Sequence, residues 1–93
     1  MDVNEVVQLA KQYVLKLFAT EGLVNIGLEE VEFDDANDTW SITIGFSRPW
    51  DQPLNPLASF SGQVAYPKRS YKVVRISDSN ANVISVRDRE VKS

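Results

Sequence analysis

Residues 28–46 read LEEVEFDDANDTWSITIGF, and the alternation within this stretch decides the fold. Trp40, Ile42, Ile44 and Phe46 alternate with Ser41, Thr43 and Gly45. Successive side chains on a strand point to opposite faces, so the pattern predicts a strand over 40–46 with one apolar face. Before it, Asp34-Asp35-Ala36-Asn37-Asp38 is made of residues that hydrogen-bond their own backbone, which predicts a turn. Upstream of the turn the parity changes: Ile26 and Leu28 are even, while Val31 and Phe33 are odd. A regular strand cannot put both pairs on one face. The stretch therefore predicts either a bulge or bend near Leu28–Glu30 or a strand that begins only at Glu29 and covers 29–33. Glycine at 45 weakens a strand interior and leaves room for something to approach the open face.

Working outward, the chain begins with a helix. Asp2 and Glu5 have the spacing of a capping box. Val3, Val7, Ala10, Val14, Leu17 and Phe18 recur every three or four residues, and Val6, Leu9 and Tyr13 widen the stripe. This spacing predicts an amphipathic helix over 3–20, stopped by Gly22 in a left-handed conformation. Downstream, strands are predicted over 70–76 and 83–88, joined by a turn at Asp78-Ser79-Asn80-Ala81-Asn82. Ile84 and Val86 are expected to point inward. Val73 and Val74 are adjacent, which leaves the register of that strand open. Lys72 is assigned to the outer face with Glu30, Glu32, Ser41 and Thr43.

One helix with one apolar stripe and one sheet with one apolar face need each other for burial. The expected architecture is α+β: an N-terminal amphipathic helix packed on a four-stranded antiparallel sheet in meander order, as a single domain over 1–93. Between the second and third strands, residues 47–69 read SRPWDQPLNPLASFSGQVAYPKR and hold all four prolines. A connection this long in so small a domain is usually functional or disordered. Arg48, Trp50, Leu54, Leu57, Phe60 and Tyr66 within it have the composition of an interaction surface. The same side chains could instead fold back as a satellite core.

The composition narrows the chemistry. Cysteine and histidine are both absent. Without them there is no disulfide, no thiolate metal site, and neither the commonest general base nor the commonest metal ligand. No cofactor is implied. The first residues are acidic and amphipathic, unlike a signal peptide, and no apolar run reaches the ~18 residues of a membrane span. A cytoplasmic protein is the expectation. The net charge of −3 conceals an asymmetry: residues 1–46 carry nine acids and two bases, and residues 47–93 carry four acids and eight bases. An acidic first strand and basic later strands would neutralise each other across one sheet. The alternative is a charged face held out for a partner of opposite sign.

Three constellations bear on chemistry. Asp78 to Asn82 matches the opening of a calcium loop, but position six is Val83 and position twelve is Arg89, where glycine and glutamate are needed. A hairpin turn is the better reading. Glu29, Glu30, Glu32 and Asp34 form a carboxylate cluster in which Glu30 and Glu32 share a face, roughly 6.5–7 Å apart along a strand. On a wet outer face nothing desolvates them, so no catalytic residue is assigned. Lys68, Arg69, Lys72, Arg75, Arg87, Arg89 and Lys92 make the second half basic, but an acidic chain opposes a nucleic acid at long range.

The leading helix, then residues 28–46, then YKVVRISDSNANVISV (Tyr71 to Val86), resemble the cystatin-like and PepSY-like group of small domains. The last run is similar to the PepSY-type closing hairpin, although Ala81 or Asn82 stands where that turn has glycine. The resemblance covers about two thirds of the chain and has no diagnostic motif. It implies a non-catalytic module that inhibits, binds or regulates other proteins. The expected function is a protein-interaction module of inhibitor, immunity or adaptor type, using the 47–69 loop and the outer sheet face. The alternative is a small-ligand or peptide-binding domain with a pocket between helix and sheet, lined by Tyr13, Trp40 and Phe46. A homodimer through the Val83–Arg87 strand or the loop is compatible with either.

Overall fold

The computed structural model describes residues 1–49 and 69–89. A helix α1 (Val3–Leu17) is followed by a 3₁₀ turn (Ala19–Glu21) and by strands β1 (Val24–Asp34), β2 (Thr39–Ser47), β3 (Ser70–Ser77) and β4 (Val83–Asp88). All neighbours are antiparallel and the sheet order is β1-β2-β3-β4, the expected meander. The fold is α+β, with one face of the sheet under the helix. Among the described residues no helix is long and apolar enough to cross a membrane.

The helix starts where its cap dictates. The Asp2 carboxylate accepts the Glu5 amide at 2.9 Å, satisfying one of the free donors of the first turn. It ends earlier than the spacing predicts. The Phe18 amide still donates to the Val14 carbonyl, but the chain then tightens into the 3₁₀ turn, and Gly22 closes it at φ 62°. Val6, Val7, Ala10 and Val14 are the buried helical residues. Val3, Leu9, Tyr13 and Leu17, also expected in the stripe, are exposed. The helix rests chiefly over the middle of the sheet, and a narrow line centred on Ala10 makes the contact.

The strand register organises the sheet into rows. On the helix side lie Phe33–Trp40–Ile76–Val83, Val31–Ile42–Val74–Val86 and Leu28–Ile44–Lys72–Asp88. Ile42, Ile44, Phe46, Val74 and Ile76 are fully buried there, with Phe18, Leu23, Ile26, Val31, Trp40, Val83 and Val86 packed around them. Glu29 is the extra residue in β1, so the parity change is a bulge and not a strand start. A second irregularity spans Val24 to Gly27, with Asn25 at φ 55°, so β1 extends five residues further toward the N-terminus than expected.

Two side chains face differently from the sequence expectation. Lys72 shares parity with Val74 and Ile76, so it belongs to the helix side. Its ammonium sits 5.3 Å from the centre of the Phe18 ring and pairs with Asp88. The adjacent valines allowed either register, and the deeper burial of Val74 chose this one. Ile84 is 53% exposed. The register of β4 slips between Arg75 and Ile76, which makes Ile84 the extra residue and leaves Val83 and Val86 to face the core.

The two turns hold each other. Asp34 accepts from the Ala36 amide and the Asn37 side chain, and the Asp78 amide donates to the Asp38 carbonyl. Asp78 also accepts the Trp40 indole N–H at 2.9 Å, while the Trp40 ring packs on Phe33 at 4.8 Å. The β3–β4 turn closes through Ser77 and Asn82, with Ala81 at φ 60°. That conformation costs an L-residue about 1–2 kcal/mol, while glycine loses roughly 0.5–1 kcal/mol in chain entropy. Ala81→Gly should therefore stabilise the protein by up to about 1 kcal/mol, raising Tm by about 4–8 °C in calorimetry. An unchanged or lowered Tm contradicts the assigned turn.

Candidate functional site

Helix α1 covers one sheet face; the outer face carries a different set of rows. They read Glu30–Thr43–Val73–Arg87, Glu32–Ser41–Arg75–Ser85 and, toward the segment that follows β2, Gly27–Gly45–Tyr71 beside Arg89. Acids occupy β1 and arginines occupy β3 and β4. Two ion pairs bridge these halves. Arg69 reaches back to the Asn25 carbonyl (3.0 Å) and to Glu29 (3.2 Å). Arg89 reaches Glu30 at 3.5 Å, joining the two edge strands across β2 and β3. The expected neutralisation of acidic and basic halves across one sheet is thus present, and Thr43 beneath is only 5% exposed.

Gly45 explains how Arg69 lies so low. A methyl group there would sit 2.7 Å from both the Arg69 guanidinium and the Glu29 carboxylate. The space glycine leaves on the open face is filled by this ion pair.

The other root of the 47–69 segment is on the helix side. Arg48 donates to Glu21 at 2.7 Å and to the Ser70 hydroxyl at 2.8 Å, and its guanidinium lies 5.2 Å from the centre of the Phe46 ring. Phe46 in turn contacts Phe18 at 5.9 Å. Of the six residues singled out as a binding surface, Arg48 is the one within the described residues. Its role there is to fasten the end of β2. Trp50, Leu54, Leu57, Phe60 and Tyr66 lie outside the described residues.

Depressions among the described residues are open and run along the helix flank, lined by Leu9, Gln12, Tyr13, Lys16 and the Ala81–Val83 turn. Phe46 is fully buried within a filled core, while Tyr13 is exposed on that flank. These depressions touch Tyr13 but neither Trp40 nor Phe46. Among the described residues no group of three or more acids is arranged to hold a metal ion. Asp78, the first residue of the apparent calcium loop, is engaged by the Trp40 indole. Glu29 and Glu30 are engaged by arginines, and Glu32 is exposed.

Three carboxyls lie below the usual aspartate value of 3.8. The Trp40 indole N–H does this for Asp78, the Asn37 side chain for Asp34, and Lys72 for Asp88. No family model matches this chain, nor does any curated protein or solved structure.

Two outcomes follow from these contacts. Gly45→Ala should displace the Arg69–Glu29 pair with little net change in stability. Relief of the glycine penalty, about 0.5–1 kcal/mol, offsets loss of an exposed ion pair worth about 0.2–1 kcal/mol. Guanidinium NMR signals of Arg69 should become averaged while Tm stays within a few degrees; a sharp Arg69 signal refutes the placement. For Asp78, a carboxyl lowered in the folded state adds stability above pH 3.8, and that stability is lost as pH falls through its folded value. Asp78→Ala should be less stable than the parent at pH 7, with the difference shrinking below pH 4 in urea titrations. A pH-independent difference would show that the charged form is not the one being favoured.

Proposed function

We propose that this chain is a non-enzymatic protein-interaction module, of the inhibitor, immunity-factor or regulatory-adaptor kind. Its surface is the outer sheet face together with the 47–69 segment. The observation that carries this reading is the division of the sheet. One face has its apolar rows buried under a helix. The other has charged rows, with Arg75 and Arg87 making no ion pair among the described residues and with no second layer over it among those residues. Both roots of the segment are pinned, by Arg48 to Glu21 and Ser70 and by Arg69 to Asn25 and Glu29. The residues between those two roots include Trp50, Phe60 and Tyr66. Trp, Tyr and Arg are the residues that dominate binding energy at interfaces.

Catalysis has less support. The glutamates of β1 are ion-paired or exposed and Asp34 is taken up by its own turn, so among the described residues nothing desolvates one to act as an acid beside another acting as a base. A ligand pocket between helix and sheet has less support: among the described residues Val6, Ala10, Val14, Ile42, Ile44 and Val74 form one buried cluster there. The resemblance to cystatin-like and PepSY-like modules points the same way as the interaction reading.

The test is affinity. Tagged chain is cross-linked in extract of its source cells, and each recovered protein is then titrated in purified form. Trp50→Ala should weaken a true partner by about 30-fold, the size of a hot-spot loss of about 2 kcal/mol. Arg75→Glu should weaken it as well. Unchanged affinity in both variants removes the segment and the outer face from the function.

A further inference from the structure

The outer face has a property that the division into acidic and basic halves alone does not require. Its rows run from acid to base in the same direction: Glu30 to Arg87 in one, Glu32 to Arg75 and Ser85 in the other. A row of this kind is complementary to its own reverse. Two copies laid outer face to outer face, about a twofold axis parallel to the strands and between β2 and β3, place each row over itself reversed. Glu30 then lies over Arg87 of the second copy, and Glu32 lies over Ser85 with Arg75 one strand inward. The other in-plane twofold, perpendicular to the strands, would set β1 over β1 and acid over acid. Charge selects the first.

Further features agree. Arg75 and Arg87 are the outer-face arginines of the central rows, and neither makes an ion pair among the described residues. Both therefore keep hydrogen-bonding capacity on the outer face. Packing of β4 edges is a poorer route to a dimer. Ile84 breaks the strand with a bulge, and Arg87, Asp88 and Arg89 charge it, both devices that keep edges apart.

We infer that a second copy of this chain is a partner of the outer face, in an isologous sandwich of two sheets held by Glu32–Arg75 contacts across the axis and by Glu30 shared between Arg89 of its own copy and Arg87 of the second. Resting on the interaction reading above, this names the partner. Two antiparallel sheets stack aligned about 10 Å apart, within reach of arginine and glutamate side chains. Four strands about 4.8 Å apart and six residues at about 3.4 Å each cover about 400 Å² per copy. Stable dimers bury about 800 Å² per partner, so the association is weak and governed by charge.

Sedimentation equilibrium between about 10 µM and 1 mM tests this. The parent chain should self-associate at low ionic strength and dissociate when salt shortens the Debye length from about 30 Å at 0.01 M to below 8 Å above 0.15 M. Arg87→Glu and Glu30→Lys, each alone, set like charges across the axis and should be monomeric at every concentration. Mixed one to one they restore both contacts and should associate at least tenfold more strongly than either alone. Circular dichroism confirms that each variant is folded. A parent that stays monomeric at 1 mM and low salt overturns the inference. So does a mixture no more associated than its components. If the parent is monomeric and Arg75→Glu still weakens a heterologous partner, the interaction reading stands and the second copy falls. If the chain dimerises as described while Trp50→Ala and Arg75→Glu leave every recovered partner unaffected, the reverse holds.

Discussion

Contact between the Val6–Ala10–Val14 line of the helix and the fully buried Ile42, Ile44, Phe46, Val74 and Ile76 is the interaction on which everything else stands. Neither layer survives in water by itself. A helix of 15 residues is marginal alone, and a sheet with one bare apolar face exposes what it should hide. Ala10 lets the helix axis come close, and the contact fixes which parity of β2 and β3 faces inward. Once Ile42 and Val74 are inside, Ser41, Thr43, Val73 and Arg75 must be outside. The identity of the outer face is therefore a consequence of core packing.

Electrostatics then finishes what the core begins. The acids of β1 and the bases of β3 and β4 are separated along the chain, but the meander brings them onto one face. Two long-range ion pairs, Glu29–Arg69 and Glu30–Arg89, tie the rims of that face together. Each is exposed enough that water and salt screen it, so each is worth little to stability. Their value lies in position: one anchors the return of the segment after β2, and the other spans from edge strand to edge strand. On the helix side Arg48 and Lys72 lie against Phe46 and Phe18, where aliphatic stems and rings cover apolar surface and the charged heads meet Glu21 and Asp88.

Much of this was legible in the chain. The period of two over 40–46 reported β2, and the parity change at Leu28–Val31 reported either a bulge or a late strand start, of which the pairing with β2 selects the bulge at Glu29. Asp2 and Gly22 reported the ends of the helical region through their own capping chemistry. The misjudged residues share a cause. Lys72 and Ile84 sit where local pattern permits two registers, and the choice depends on what the neighbouring strand presents. Leu9, Tyr13 and Leu17 carry the helical period correctly, but how wide a stripe is covered depends on the sheet beneath. Of the candidate site, Arg48 and Gly45 were visible as residue types. Arg69 is one base among seven in the basic run, and nothing local marks a side chain that will cross a glycine 24 positions away.

What the sequence determined by itself is everything set within a few residues: strand period, turn chemistry, caps, bulge, and the separation of acidic from basic halves. These rest on backbone geometry and on side chains bonding their own chain, which neighbours in sequence suffice to settle. Only the tertiary structure decided the rest: the register that turns Lys72 inward, the depth of Thr43, and the ordering of charges into rows that run from Glu30 to Arg87. Those depend on pairing residues dozens of positions apart, and such pairings are selected by which apolar side chains the helix can bury.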